Sequence, residues 1–238
     1  MSQGGFWLTG PATLTDASRC VVFDLDGTLI ESEEIWRDVR HELVLRHHGR
    51  WKNGAQHTMI GMRTEEWARY MQSELGVELP ASAIADQVVA EVARRLEEVP
   101  ILPGAGGALE RLGSAFRLGL ATSAARAVAQ TVLEKTGWRK FFEVVVSADE
   151  VPRGKPAPDV YLRAIELLNA NAARSVAIED SANGIRSAHA ARLAVIAIPN
   201  HAFPPDAQAL GLAARTLARL DDLDANIVQT ALGRSSKG

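Results

Sequence analysis

One cysteine, Cys20, is all the thiol chemistry this chain possesses. That excludes a disulfide framework and a thiolate metal site, and it fits a reducing, cytoplasmic compartment. An excess of one charge is also missing. With 26 Lys and Arg against 29 Asp and Glu, the net charge is −3 and the pI about 6.1, which leaves no basic surplus for nucleic acid or an anionic membrane. Local clusters such as Arg46–Arg50 read as a solvated helix end. No apolar run is long enough to span a bilayer. The opening MSQGGFWLTGPATLTDAS lacks a cationic segment followed by a sustained apolar core, so residues 1–18 read as a loose leader and not a signal peptide. There is no internal repeat and no low-complexity linker, and Ser235–Gly238 reads as a disordered tail. What is present, 238 residues with 47% hydrophobic content, suffices for a full core plus a smaller attached unit. A monomer is expected.

The informative stretch is Val21–Thr28, VVFDLDGT. Val21, Val22 and Phe23 form a β-branched and aromatic run without alternation, the pattern of a strand buried on both faces of a parallel sheet. Asp24 stands at its carboxyl end, and Asp26 points to the same side if the backbone is still extended. Open α/β sheets bind ligands at that edge. Two carboxylates there are unfavourable neighbours unless a cation or shared proton compensates them, so the pair asks for a metal. Taken alone, these residues also suit an Asp-Gly turn in which Asp26 caps a helix.

Downstream, Glu33–His48 places Ile35, Trp36, Val39, Leu43 and Val44 at helical spacing, with Gly49 as its stop. Further helices are expected in TEEWARYMQSEL from Thr64 and after a cap at Ser82, with no strand between them. From Pro100 the texture changes. A helix in GGALERLGSAF is followed by strands at Leu118–Ser123, around Val144, at Ser175–Ile178 and in LAVIAIP, alternating with helices at Ala125–Lys135, Asp159–Leu168 and Asn183–Ala191. Repeated β-α units predict an α/β fold with a Rossmann-like, doubly wound parallel sheet. The boundaries are residues 19–32 and 101–238 for this core, with residues 33–100 an inserted all-helical cap over the edge that holds Asp24 and Asp26.

Polar side chains recur at the strand ends. Thr122 and Ser123 close LGLATS beside a helix start, an anion-binding arrangement. Lys155 sits in RGKPAPD, a loop stiffened by Pro156 and Pro158, and Glu179 and Asp180 follow the VAI strand. Singly, each has an ordinary use as a cap or a surface charge; together, in one order at one edge, they do not.

With DLDGT, the LATS threonine, the KPAPD lysine and IEDSANGI in place, the chain resembles the haloacid dehalogenase superfamily of phosphotransferases over nearly its whole length. The resemblance implies Mg²⁺ as cofactor, Asp24 as nucleophile and Asp26 as general acid/base. It further implies Thr122 on the phosphoryl group, Lys155 bridging nucleophile and phosphate, and Asp180 on the metal. Glu179 would lie in or next to the metal shell, and Asp26 would lend its backbone carbonyl. Dehalogenase members lack the second aspartate, so halide chemistry is not expected. IEDSANGI and the cap are most similar to sugar-phosphate phosphatases and β-phosphoglucomutases. Trp36 aligns with the mutase cap histidine, and ESEEIW with Gly61–Arg63 looks more like the hexose-phosphate phosphatase branch. Arg63, Trp36 and Ser123 are therefore the expected substrate contacts. The expected function is hydrolysis of a small phosphorylated metabolite, a sugar phosphate, through an aspartyl-phosphate. A phosphomutase and a catalytically retired phospho-ligand-binding protein are the alternatives.

Overall fold

Val21 and Phe23 enter the hydrophobic core on one face of a sheet, while Cys20 and Val22 enter a second core on the other. This two-sided burial is why the run lacks alternation. The structure, a computed structural model, describes residues 18–96 and 98–235. The expected leader therefore falls, apart from Ser18, outside the described residues. Ser18 itself is anchored, its carbonyl accepting from the Asn171 N–H at 2.9 Å.

Six strands, β1 (Cys20–Phe23), β2 (Arg117–Thr122), β3 (Val144–Ser147), β4 (Val176–Glu179), β5 (Ala194–Ala197) and β6 (Arg215–Thr216), form one sheet in the order β3-β2-β1-β4-β5-β6. Every pairing is parallel. The order reverses between β1 and β4, which makes the carboxyl ends of those two strands the switch-point crevice.

Four helices, α1 (Glu33–Arg46), α2 (Ala55–Met59), α3 (Thr64–Ser73) and α4 (Ala81–Arg95), lie between β1 and the return to the sheet. Among the described residues all regular structure in that span is helical. The two connections pair with each other: Glu31 N–H donates to Pro100 O at 2.8 Å and Leu102 N–H to Leu29 O at 3.0 Å. The apolar stripe of α1 buries Trp36, Val39, Leu43 and Val44, whereas Ile35 is only half-buried. Glu33 and Arg40 are buried on the same helix. α4 starts at Ala81 behind Pro80, one position before the expected Ser82 cap, because a proline at a helix start gives up no needed N–H.

The core helices are α5 (Ala105–Gly113), α6 (Arg126–Thr136), α7 (Asp159–Leu167), α8 (Ala182–Ala190), α9 (Ala207–Leu210) and α10 (Ala225–Ser235). α5, α6 and α10 pack on the Phe23 face, and α7 and α8 on the Val22 face. Ser235 closes α10 and so does not belong to a disordered tail; residues 236–238 lie outside the described residues. α2, β6 and α9, two to five residues long, are too short to show a period in the sequence. No helix among the described residues is long and apolar enough to cross a membrane.

α8 approaches β4 unusually closely. A Cβ on Gly184, in its first turn, would lie 1.9–2.0 Å from the carboxylate atoms of Glu179. We expect Gly184→Ala to destabilise the fold by about 2 kcal/mol or more through overpacking against a buried group that cannot retreat. The check is a lower urea midpoint at unchanged slope.

Candidate active site

β1 and β4 deliver their carboxylates to one point. Past the end of β1, the Asp24 N–H extends the ladder by donating to Ile178 O at 3.0 Å. Glu179 is the last residue of β4 and Asp180 follows it. Lys155, from the loop after β3, donates from Nζ to Asp24 Oδ1 at 2.5 Å and to Glu179 Oε1 at 2.7 Å. Asp24 is 5% exposed, Lys155 3%, Asp180 3% and Glu179 0%, so these charges must satisfy one another. Burial alone depresses the Lys155 ammonium, but Asp24 and Glu179 more than offset it and hold it above the ordinary lysine range. Lys155 is therefore a permanent cation.

Three carboxylates against one ammonium leave a negative excess. Burial pushes Asp24 well above the usual carboxylate range; Lys155 opposes this, while Glu179 and Asp26 add to it. Burial, then Glu179 and Asp24, push Asp180 upward in the same way. Oxygens of Asp24, Glu179 and Asp180 lie within 4.8 Å of one another. A divalent cation held here would supply the missing positive charge and lower both groups.

The three are not equivalent, however. Glu179 Oε1 accepts from Lys155 and from Tyr161 OH at 2.7 Å, and Oε2 accepts from Asp180 N–H, Ser181 N–H and Ser181 Oγ at 3.1–3.3 Å. Its lone pairs are taken. Asp24 Oδ2 accepts no hydrogen bond among the described residues, and Asp180 accepts one, from Thr28 Oγ1 at 3.3 Å. The donor set thus fits a hard, oxygen-seeking ion held by Asp180 and by Asp24, whose Oδ1 keeps a second lone pair beside the Lys155 contact so that Oδ2 stays free, with Glu179 positioning Lys155.

Asp26 stands outside this three-acid group but lines the smaller cavity with Asp24 and Lys155. Its Oδ1 accepts from Ser32 Oγ at 2.5 Å and Trp36 Nε1 at 3.0 Å, and its Oδ2 from Thr122 Oγ1 at 3.3 Å. The backbone leaves the sheet after Asp24 and folds back, Gly27 N–H donating to Ile30 O at 2.7 Å, so the alternation of a strand no longer applies. Gly27 has φ +81°, and a Cβ there would lie 2.1 Å from Asp180 Oδ2. Glycine meets both the turn and the close approach of the acid.

Two adjoining cavities of about 30 and 20 Å³ lie above these groups. Each has room for roughly one or two waters. Ile60, Gly61 and Ser123 line both. Ser123 Oγ donates to Gly61 O at 2.9 Å and Asn183 Nδ2 to Ile60 O at 2.8 Å, holding the cap down on the core. Trp36 lines the larger cavity and contacts Trp67 edge-on at 6.2 Å. Arg63 lines neither cavity: it pairs with Glu65 at 2.8 Å and Glu66 at 3.4 Å at the start of α3. The sequence reading missed Glu33, Arg40, Gln56 and Tyr161. A trace was present, since Glu33, Trp36 and Arg40 recur at helical spacing and put charges on the buried side of α1.

Known proteins carry the same framework. The chain is 30% identical to hexitol phosphatase B of Escherichia coli K12, over 79% of this chain and 84% of that protein. It is 28% identical, over 79% of its own length, to a bifunctional riboflavin kinase/FMN phosphatase of Arabidopsis thaliana, of which it spans half. The crystal structure of CbbY from Rhodobacter sphaeroides in complex with phosphate superposes with a TM-score of 0.76 at 26% identity, over 87% of this chain and 96% of that one. The model of haloacid dehalogenase-like hydrolases matches residues 21–198, from β1 through β5 and so every strand-end group above. The chain belongs to the haloacid dehalogenase-like hydrolase family, and it is a phosphatase.

Proposed function

We propose that the chain is a Mg²⁺-dependent phosphatase of a small phosphorylated sugar, working through an aspartyl-phosphate. The observation that carries this is Asp24: one oxygen is fixed on Lys155 and the other accepts no hydrogen bond among the described residues, at the mouth of the smaller cavity. In the first step a free Asp24 oxygen attacks phosphorus, the bond to the leaving oxygen breaks, and Asp26 donates its proton to the departing alcohol. In the second, Asp26 takes a proton from water as that water displaces phosphate from Asp24. Lys155 neutralises the approaching phosphoryl oxygens. The metal, held by Asp24, Asp180 and by resemblance the Asp26 carbonyl, would screen the same charge. A sugar leaving group is supported by the hexitol phosphatase relative and by a cavity lined with Glu33, Arg40, Trp36 and Trp67. Trp36 weighs against mutase chemistry, because an indole N–H donates but cannot take a proton from a sugar hydroxyl. An intact nucleophile, lysine and acid weigh against a retired binding protein.

Asp24→Asn is expected to lower kcat on p-nitrophenyl phosphate by about a thousandfold or more, roughly 4 kcal/mol of barrier, with an unchanged circular dichroism spectrum. A loss within about tenfold would remove Asp24 from the covalent role. Chelation is expected to abolish turnover and Mg²⁺ to restore it, while Ca²⁺, with longer bonds and more ligands, does not. Full activity in excess chelator would sink the metal assignment.

Closing the cap buries Glu33, and burial followed by the Asp26 carboxylate pushes it up to about 7 from an ordinary 4.5. The folded state therefore binds more protons than the unfolded chain between these values, and stability falls as pH rises through that window. The expected contribution is about 3 kcal/mol. Glu33→Gln should match the parent at the acid end and exceed it in urea midpoint at pH 8; parallel pH profiles would show that Glu33 does not titrate there.

A further inference from the structure

Arg40 is a buried cation in the roof of the larger cavity that the reaction above does not use. It is 5% exposed and lines that cavity together with Glu33, Trp36 and Trp67. Its guanidinium carbon lies 4.8 Å from the ring centroid of Trp36 and 4.9 Å from that of Trp67, so the group sits against two indoles. Such contacts fix the plane of an arginine and leave its N–H edge as the only place to bind. One edge nitrogen, Nη1, donates to Gln56 Oε1 at 3.2 Å, and Gln56 is itself locked by donating from Nε2 to Glu33 Oε2 at 2.9 Å. The Nε–H is buried and has no acceptor among the described residues. Buried donors are nearly always satisfied, and one that is not, in the wall of a substrate cavity, points to an acceptor arriving with the ligand.

Charge decides what kind of acceptor that is. Arg40 already feels Glu33 and Asp26, both of which line the same cavity. Two carboxylates against one guanidinium disfavour a second phosphate or a carboxylate on the substrate. A hydroxyl meets neither objection. It can accept from the Arg40 Nε–H and donate to Glu33, while the indole faces cover the C–H side of a sugar or polyol.

We propose that Arg40 is a specificity-determining residue that selects a neutral, polyhydroxylated leaving group, its Nε–H donating to a leaving-group hydroxyl that in turn donates a hydrogen bond to Glu33. This deepens the phosphatase reading above and rests on it. The two fail separately.

The test uses full-length enzyme with Mg²⁺ and three probes: sorbitol 6-phosphate, phosphoglycolate and p-nitrophenyl phosphate. The parent should prefer sorbitol 6-phosphate to phosphoglycolate by tenfold or more in kcat/KM. In Arg40→Met the ratio of kcat/KM for sorbitol 6-phosphate over p-nitrophenyl phosphate should fall tenfold or more, and in Arg40→Lys, which keeps a donor, it should fall less. A parent preference for phosphoglycolate, or an unchanged ratio in both variants, overturns the proposal while leaving a phosphatase. Losses in proportion on both substrates with a lowered melting temperature would make Arg40 a packing residue and also overturn it. A folded, metal-loaded parent inert toward p-nitrophenyl phosphate removes the phosphatase reading and this inference with it. Should Arg40→Met not fold, the parent's preference and Arg40→Lys decide.

Discussion

The structure depends on an ammonium held between two carboxylates where water cannot reach it. Lys155 between Asp24 and Glu179 is stable only as a complete set, because removing one partner of a buried ion pair leaves an uncompensated charge that costs several kcal/mol. Much of the local architecture serves that set. Parallel pairing of β1 with β4 brings the two acids together, Tyr161 and the Ser181 group fill the remaining lone pairs of Glu179, and Gly184 lets α8 begin against that carboxylate. The result is a fixed cation beside an Asp24 oxygen that stays free. A nucleophile for a phosphate dianion needs that combination, since an unpaired carboxylate would repel its target.

The second dependence runs between cap and core. Asp26 takes hydrogen bonds from Thr122 on the sheet, Ser32 at the connection and Trp36 on the cap. Its orientation is complete only with the cap closed. The two connections hydrogen-bond to each other and form an antiparallel bridge between Ile30 and Ile101, so they behave as one short ribbon. Asp24 takes no part in that ribbon, since its partners Ile178 and Lys155 both belong to the core.

How much of this was legible in the sequence follows from how local each feature is. A buried strand that ends in an acid is written in four or five consecutive residues, so β1, β2 and β4 and the positions of Asp24, Thr122, Glu179 and Asp180 could be read directly. The direction of the Asp26 carboxylate could not, because it depends on a turn closed by the Gly27–Ile30 hydrogen bond and not on strand alternation. Nor could the saturation of Glu179, whose partners Lys155 and Tyr161 come from another loop and helix. Arg63 is expected as a substrate contact because Gly61–Arg63 resembles the hexose-phosphate phosphatase branch. In the structure that position lets it pair with Glu65 and Glu66 while its N–H caps α3 through Glu66. Arg40 left only the trace of its helical spacing with Glu33 and Trp36, since an arginine on a helix is ordinarily solvated and the Trp67 it meets comes from α3.

The cap residue facing Asp26 has a further consequence for the chemistry. Trp36 places a single donor on Asp26 Oδ1 and offers no base, and no other group among the described residues donates to that carboxylate from the cap. On the proposed mechanism a transfer to a second sugar hydroxyl would need that hydroxyl activated by Asp26 alone, inside a cavity whose cap wall is indole and a guanidinium packed against two rings. Water has no such requirement. It is small enough for the cavity that exists when the cap is closed, and it needs to reach only Asp26 and the phosphoryl group. The cap therefore favours hydrolysis by what it withholds, a proton acceptor, as much as by the indoles and the Arg40 donor it presents to the leaving group.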